Sequence, residues 1–350
     1  MAEIDELIKL LIEKMKQPIT NINDVSRDKS VFQKQEIMNL VGYCNKNREI
    51  IDVVLNQISS ELNNMPTFNC CLCSFICGTL VEWGGRPSIA FEKVMKILSA
   101  CIHNAYSYYM LLNEKPPEDI AKYNFDIYQG WMGIDFVILP SMTMLCRDSS
   151  LRHLLRKKEG EMEIKVQAEV LMDRVPNLYY ISRMFTLSDD VNIILIHPRL
   201  KVGFEVYLSG VQNNFHFFTL LQNEFNEKNL WGRLDISNYN NHSHAIRIAK
   251  NQQVMVANES ITDEAVFDLF IWTAINDRGM IPSEFPLNSW VPGELLPRDI
   301  PEIGGTKVVF FETKRMAGRE WDVNFFQSFH EALLPEVSSE YSKRTFVRGN

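Results

Sequence analysis

Apolar positions recur at helical spacing through the first half of the chain. Ile4, Leu7, Ile8, Leu11, Ile12 and Met15 fall on one stripe, the pattern of a helix with one buried face. Pro18 lies just past that stripe and marks its stop. A second helix is expected from Ser30, a residue suited to an N-cap, to Cys44. A third carries Ile50, Ile51, Val54, Leu55, Ile58 and Leu62. Between Phe68 and Trp83 polar residues are few, which predicts a helix buried all round. Gly84 and Gly85 suit a helix C-terminus, where positive φ is needed, and Pro87 cannot continue the ladder. Ser88 is placed to cap the next helix, whose stripe runs Val94, Ile97, Leu98, Cys101, Ile102, Ala105 and Tyr109. Pro116 ends it, and Pro117 can open another at its first turn. A further stretch covers Ile120 to Leu139 and closes at Pro140; a last helix then ends in Arg152, Arg156, Lys157 and Lys158. Short turns between helices predict an antiparallel bundle or an irregular helical array. No residue pattern recurs at the roughly 20–50-residue period of a solenoid.

The pattern changes near residue 176. Val191 to Ile196 is a short apolar run rich in β-branched residues, and Val202 to Leu208 alternates well enough to pair with it across the turn His197–Lys201. Asn213 or Asn214 can cap a helix reaching Phe225. Ala245–Ala249 and Val254–Ala257 read as a strand pair, and Lys307–Phe311 as a strand of high β-propensity. Val266–Ile275 fits helix or strand. Pro282, Pro286, Pro292, Pro297 and Pro301 crowd into 281–305, interleaved with Phe285, Trp290, Leu295, Leu296 and Ile300. A free linker is polar or rich in Gly and Ser, so this segment reads as an ordered surface strap. The expected fold class is α+β: a helical domain over 1–175, then a mixed α/β domain over 176–350 with a small sheet.

Composition bounds the function classes. The chain has 350 residues, 46% hydrophobic and 23% charged, which suits one large or two ordinary domains with cores of their own. Its net charge is −8, and each half is mildly acidic. Neither half has the basic face of a nucleic-acid binder. The start, Met1-Ala2-Glu3-Ile4-Asp5-Glu6, lacks the basic and then apolar order of a signal peptide. The most apolar run, Trp131 to Cys146, is broken by Asp135 and Pro140 and falls short of the ~20 residues of a membrane span. The 7 cysteines lie between Cys44 and Cys146. An odd, clustered set fits reduced thiols in a cytoplasm better than a disulfide framework.

Four constellations are candidates for chemistry. Cys70, Cys73 and Cys77 have spacings that thiolate ligation of zinc or a cluster can use. On a continuous apolar helix, though, they share one face as small hydrophobes. His242 and His244 would share a face on a strand and could hold one metal, but the asparagines before them read as a polar loop with no carboxylate close by. Asp189 and Asp190 precede a strand that His197 and Arg199 follow, with His216 beyond. Carboxylate with histidine is a minimal acid–base pair, yet the strand would hold the two ends about 20 Å apart. Arg315, Arg319 and Trp321 follow the Lys307–Phe311 strand, where two guanidiniums and an indole could hold an anionic or planar ligand. Nucleotide-loop, metalloprotease, hydrolase and kinase signatures are absent; His330-Glu331 lacks its second histidine.

These patterns predict a cytoplasmic, non-catalytic interaction or scaffold protein without a cofactor. It would bind a protein partner or itself, and neither nucleic acid nor membrane. The competing expectation is an enzyme or small-molecule binder, with His197 and His216 as catalytic groups and Arg199, Arg315, Arg319 and Trp321 gathered around an anion-compatible pocket between the halves.

Overall fold

The helical stripes of the first half fold as α1 (Ala2–Met15), α2 (Gln35–Lys46), α3 (Ile51–Glu61), α4 (Thr67–Glu82), α5 (Phe91–Leu112), α6 (Pro117–Tyr123), α7 (Phe125–Arg147), α8 (Ser149–Lys157), α9 (Glu161–Leu171) and α10 (Leu178–Met184). The structure is a computed structural model and describes residues 2–27, 29–112, 114–157, 161–211, 214–237, 239, 246, 262–265, 267–276, 278–280, 297–314, 319–322 and 338–345. The chain divides into two compact units, Met1–Phe185 and Thr186–Asn350.

In the first unit α4, α5 and α7 pack on one another and form the centre. Residues on every side of α4 are buried, as its uniformly apolar sequence predicts. Close approach depends on small residues. A Cβ at Gly78 would come within 2.6 Å of Pro140 Cβ, and one at Gly133 within 2.7 Å of Cys71 Sγ. The ends are specified locally. Asn124 Oδ1 accepts from the backbone N–H groups of Asp126 (3.1 Å) and Ile127 (3.3 Å), which caps α7. Gly84, past the end of α4, takes φ +107°, a conformation open to glycine.

Three boundaries differ from the sequence expectation. Pro140 lies inside α7, which runs through it for 23 residues. An internal proline forfeits one ladder bond and costs about 3 kcal/mol; the packing of α7 along α4 and α5 outweighs that. Ser30 starts no α-helix. Lys29–Gln33 is a 3-10 turn, and Lys34 (φ −57°, ψ 132°) separates it from α2. Ser88 likewise sits in a 3-10 turn, Pro87–Ile89, ahead of α5. That turn is held by Asp52, whose carboxylate accepts from Arg86 N (2.9 Å) and Arg86 Nε (2.6 Å).

The second unit is built on β1 (Val191–His197), β2 (Val202–Ser209), α11 (Asn214–Glu227), β3 (Thr262–Ala265), β4 (Leu269–Ala274), β5 (Glu302–Ile303), β6 (Thr306–Thr313), β7 (Arg319–Asp322) and β8 (Ser338–Thr345). The first strand begins at Val191, where the sequence places it, and α10 lies between it and the change of pattern near residue 176. The ambiguous Val266–Ile275 run contains strand β4. The main sheet has the order β4-β6-β1-β2-β8, with β5 folded back on β6; β3 and β7 pair separately. β1 and β6 are parallel, and the other pairs are antiparallel. The β5–β6 hairpin turns through Gly304 (φ +59°) and Gly305 (φ +80°), the two positive φ values of a tight two-residue turn.

Alternation sets the sheet's buried face. Val191, Ile193, Leu195, Phe204, Val206, Leu208, Val309 and Phe311 are buried there. Phe225 of α11 meets Phe204 (ring centroids 4.8 Å apart) and Phe311 (6.4 Å). The molecule is thus α+β, a helical first unit followed by a unit built around a small mixed sheet. Among the described residues no helix is long and apolar enough to cross a membrane. The expected strand pair at 245–257, apart from Ile246, and the strap over 281–296 lie outside the described residues. From the rest of that strap, Pro297 and Ile300 are buried.

Candidate functional site

Polar groups gather at both ends of the buried face of the sheet. At one end Ser188 forms an isolated bridge with Val211 beyond the β1–β2 ladder. Asp189, buried between bridge and ladder, accepts from Ser209 Oγ (3.0 Å) and Gly210 N (2.7 Å) through Oδ1. Asp190 takes a left-handed φ of +53° and accepts the Tyr207 hydroxyl. That hydrogen bond, with burial, pushes the Tyr207 phenol up to about 12. Lys307, at the start of β6, is 3% exposed. Its ammonium donates to the carbonyls of Arg298 (2.9 Å) and Ile300 and pairs with Glu302 at 3.1 Å. A buried ammonium is tolerated where its donors are filled in this way.

His197 closes the other end. It is 1% exposed and stands edge-to-face on Phe311, with centroids 5.2 Å apart. Its Nδ1 accepts the Leu200 N–H at 3.2 Å, so the neutral ring carries its proton on Nε2. Nε2 has no hydrogen-bond acceptor among the described residues. Burial, reinforced by the Arg199 charge, holds the imidazole below its ordinary value, with Glu312 opposing. His197 therefore closes the β1–β2 turn as an uncharged core residue, while Arg199 on the same turn is exposed. The two aspartates stand at the far end of β1 from His197.

His216 is buried in the first turn of α11, a helix of unusual environment. His216, Thr219, Gln222 and Asn223 define a polar side and Phe217, Phe218, Leu221 and Phe225 an apolar one, and both are buried. Gln222 Oε1 accepts the Asp268 backbone N–H at 2.5 Å. The proposed ligand loop after β6 is strand from Arg319 onward, since Arg319 and Trp321 belong to β7, paired with β3. Arg315, His242 and His244 lie outside the described residues.

All seven cysteines are buried, and none is in a disulfide. Cys70 donates to the carbonyls of Leu62 (2.8 Å) and Met65 (3.2 Å), and Cys71 Sγ lies 3.3 Å from Cys101 Sγ. Desolvation pushes the thiols of Cys70 and Cys77 up to about 12 and that of Cys73 well above its usual range. Among the described residues no group of three or more His, Cys, Asp or Glu is placed to hold a metal ion.

Two features of the first unit carry no sequence signature. Arg27 lies over Trp131 (4.6 Å to the centroid), donates to the Trp131 carbonyl at 2.6 Å, and faces Asp135 at 3.9 Å. Trp131 in turn stacks on Tyr108 at 5.0 Å. Near the end of α5, Met110 (50%) and Leu112 (36%) are exposed, and so is Tyr123 (69%) at the end of α6. Lys115 Nζ, from the connection before α6, sits 4.4 Å over the ring of Tyr123 at its end. Glu114, Glu118 and Asp119 are exposed in the same stretch, and Lys122 is drawn to Asp119. No family model, curated protein or solved structure matches the chain.

Proposed function

We propose that the protein is a non-catalytic interaction protein of the cytoplasm whose α5–α6 corner receives a basic, apolar segment of a protein partner. The observation that carries the reading is the exposure of Tyr123 at the end of α6, with the Lys115 ammonium over its ring and Glu118 and Asp119 exposed on the same short helix, while Met110 and Leu112 are exposed near the end of α5. Aromatic and methionine side chains are the anchors that interfaces favour, and the surplus of carboxylates selects a basic partner by charge complementarity. The chemistry at both ends of the sheet points the same way, since Asp189, His197 and Lys307 are engaged in holding turns. The absence of disulfides among the seven cysteines supports a reducing compartment, and the acidic balance argues against nucleic acid.

The test is isolation of the full chain from its own cells under gentle conditions, with native mass spectrometry of the complex. The expected result is a defined second chain that remains with a His197→Gln, Arg199→Ala variant and is lost from Tyr123→Glu and Met110→Glu. A complex that survives both corner substitutions, or one lost only at His197 and Arg199, overturns the proposal.

The doubly buried α11 favours a second reading, a small-molecule binder or enzyme in the second unit that uses His216, Thr219 and Asn223. A stoichiometric small molecule released from the native chain on denaturation would favour it.

A further inference from the structure

The sulfurs of Cys71 and Cys101 approach within 3.3 Å, one on α4 and the other on α5. Both residues are 0% exposed. A disulfide needs a separation of about 2.05 Å, so roughly 1.2 Å of further approach would join them. Side-chain rotation supplies motion of that size. The Cys71 sulfur packs directly against Gly133 of α7, where a Cβ would lie 2.7 Å from it, so the lack of a side chain at Gly133 is what lets the Cys71 sulfur lie beside Cys101. The other thiols of α4 are directed elsewhere, Cys70 for instance to the carbonyls of Leu62 and Met65.

We propose that Cys71 and Cys101 are a redox modification site, closed by peroxide into a disulfide that locks α4 to α5. Hydrogen peroxide converts one thiol to a sulfenic acid and is reduced to water. The second sulfur then attacks the sulfenic sulfur, the S–S bond forms, the S–O bond breaks, and a second water leaves. Two electrons and two thiol hydrogens pass from the chain to peroxide, so the product is lighter by about 2 Da.

The setting decides the kinetics. Contact with Cys101, with burial, keeps Cys71 protonated, its pKa well above the ordinary thiol value, and thiols attack far more slowly than thiolates. The same burial shields the finished bond from reductants. The pair is therefore a slow lock, set by sustained oxidation, and not a fast sensor. Its closure ties residues 30 positions apart, removing freedom from the unfolded chain.

The experiment treats the folded full-length chain with hydrogen peroxide, blocks remaining thiols after denaturation, and maps peptides without reduction. The expected result is a Cys71–Cys101 linked peptide as the dominant disulfide, a thermal midpoint raised by several degrees, and reversal of both by dithiothreitol. Cys101→Ser should abolish the linkage. Should that variant fail to fold, the wild-type map and its reversal decide alone. Alkylation of all seven thiols after peroxide treatment, a mixture of other pairings, or linkage appearing only when peroxide is added to the denatured chain overturns the proposal.

Discussion

The central helices of the two units are buried all round in opposite ways. α4 is apolar on every side, and its polar groups are satisfied close to home. Ser74 Oγ donates to the Cys70 carbonyl (2.8 Å) and Thr79 Oγ1 to that of Phe75 (3.1 Å), each one turn back. Buried amides in this unit serve helix ends: Asn69 donates to the Met15 carbonyl at the end of α1 (2.9 Å), and Gln129 accepts the Phe68 N–H at the start of α4 (3.2 Å). α11 is amphipathic yet covered on its polar side as well. Gln222 finds its acceptor role 46 residues away at Asp268, and Ser188 accepts the Arg298 N–H across 110 residues. Buried polar groups find partners far off in sequence in both units; in the first the partners are mostly backbone groups of packed helices, while in the second they are loops and turns at the ends of the sheet, so the second depends on those loops being in place.

The largest test of this contrast is Lys307→Met, which keeps bulk and removes the ammonium from the Arg298 and Ile300 carbonyls. Loss of two hydrogen bonds to a buried charge is expected to cost about 3 kcal/mol. Hydrogen exchange should rise throughout the second unit and stay unchanged in α4 and α5. Protection lost only within the β5–β6 hairpin would show that the polar ends are not coupled to the core.

Gly78→Ala probes the first unit. Alanine gains about 1 kcal/mol of helix propensity over glycine. However, its Cβ would sit 2.6 Å from Pro140 Cβ and 2.7 Å from Pro140 Cα. Backbone has to move, and the expected net loss is about 2 kcal/mol, read in urea unfolding. A neutral or stabilised variant would mean that α4 and α7 can separate freely.

The smallest effect concerns pH. The His197 imidazole is held below its ordinary value by burial and by Arg199, so the folded chain favours the neutral ring. An unfolded histidine titrates near about 6.5. The contribution is intact above that pH and is lost as pH falls from there through the folded value. Stability of the second unit should therefore drop between about pH 7 and pH 5, more steeply in wild type than in His197→Gln. Parallel pH profiles for the two proteins would remove His197 from the titrating set.

Much of the first unit was legible because an amphipathic or uniformly apolar helix declares itself within a few turns. Its stripes at Ile4–Met15 and Phe68–Trp83 correspond to α1 and α4. Pro140 misled because the cost of an internal proline is local and readable, while the packing that overrides it comes from Gly78, far off in sequence. In the second unit the strands at Val191 and Lys307 were readable by alternation and β-branching. The candidate set was legible in residue type only. His197 and Arg199 are neighbours on one turn, but burial separates their roles, and burial is a property of the assembled sheet.

Sequence alone determined most of the first unit's helices, the strands at Val191, Val202 and Lys307, and the α+β class. Each follows from periodicity and propensity, which act over a few residues. Tertiary structure alone decided which polar groups became structural, which two cysteines of the seven touch, and which apolar side chains were left exposed at the α5–α6 corner. Those outcomes depend on what surface each residue meets after distant segments pack, and close packing assigns neighbours by shape and not by position along the chain.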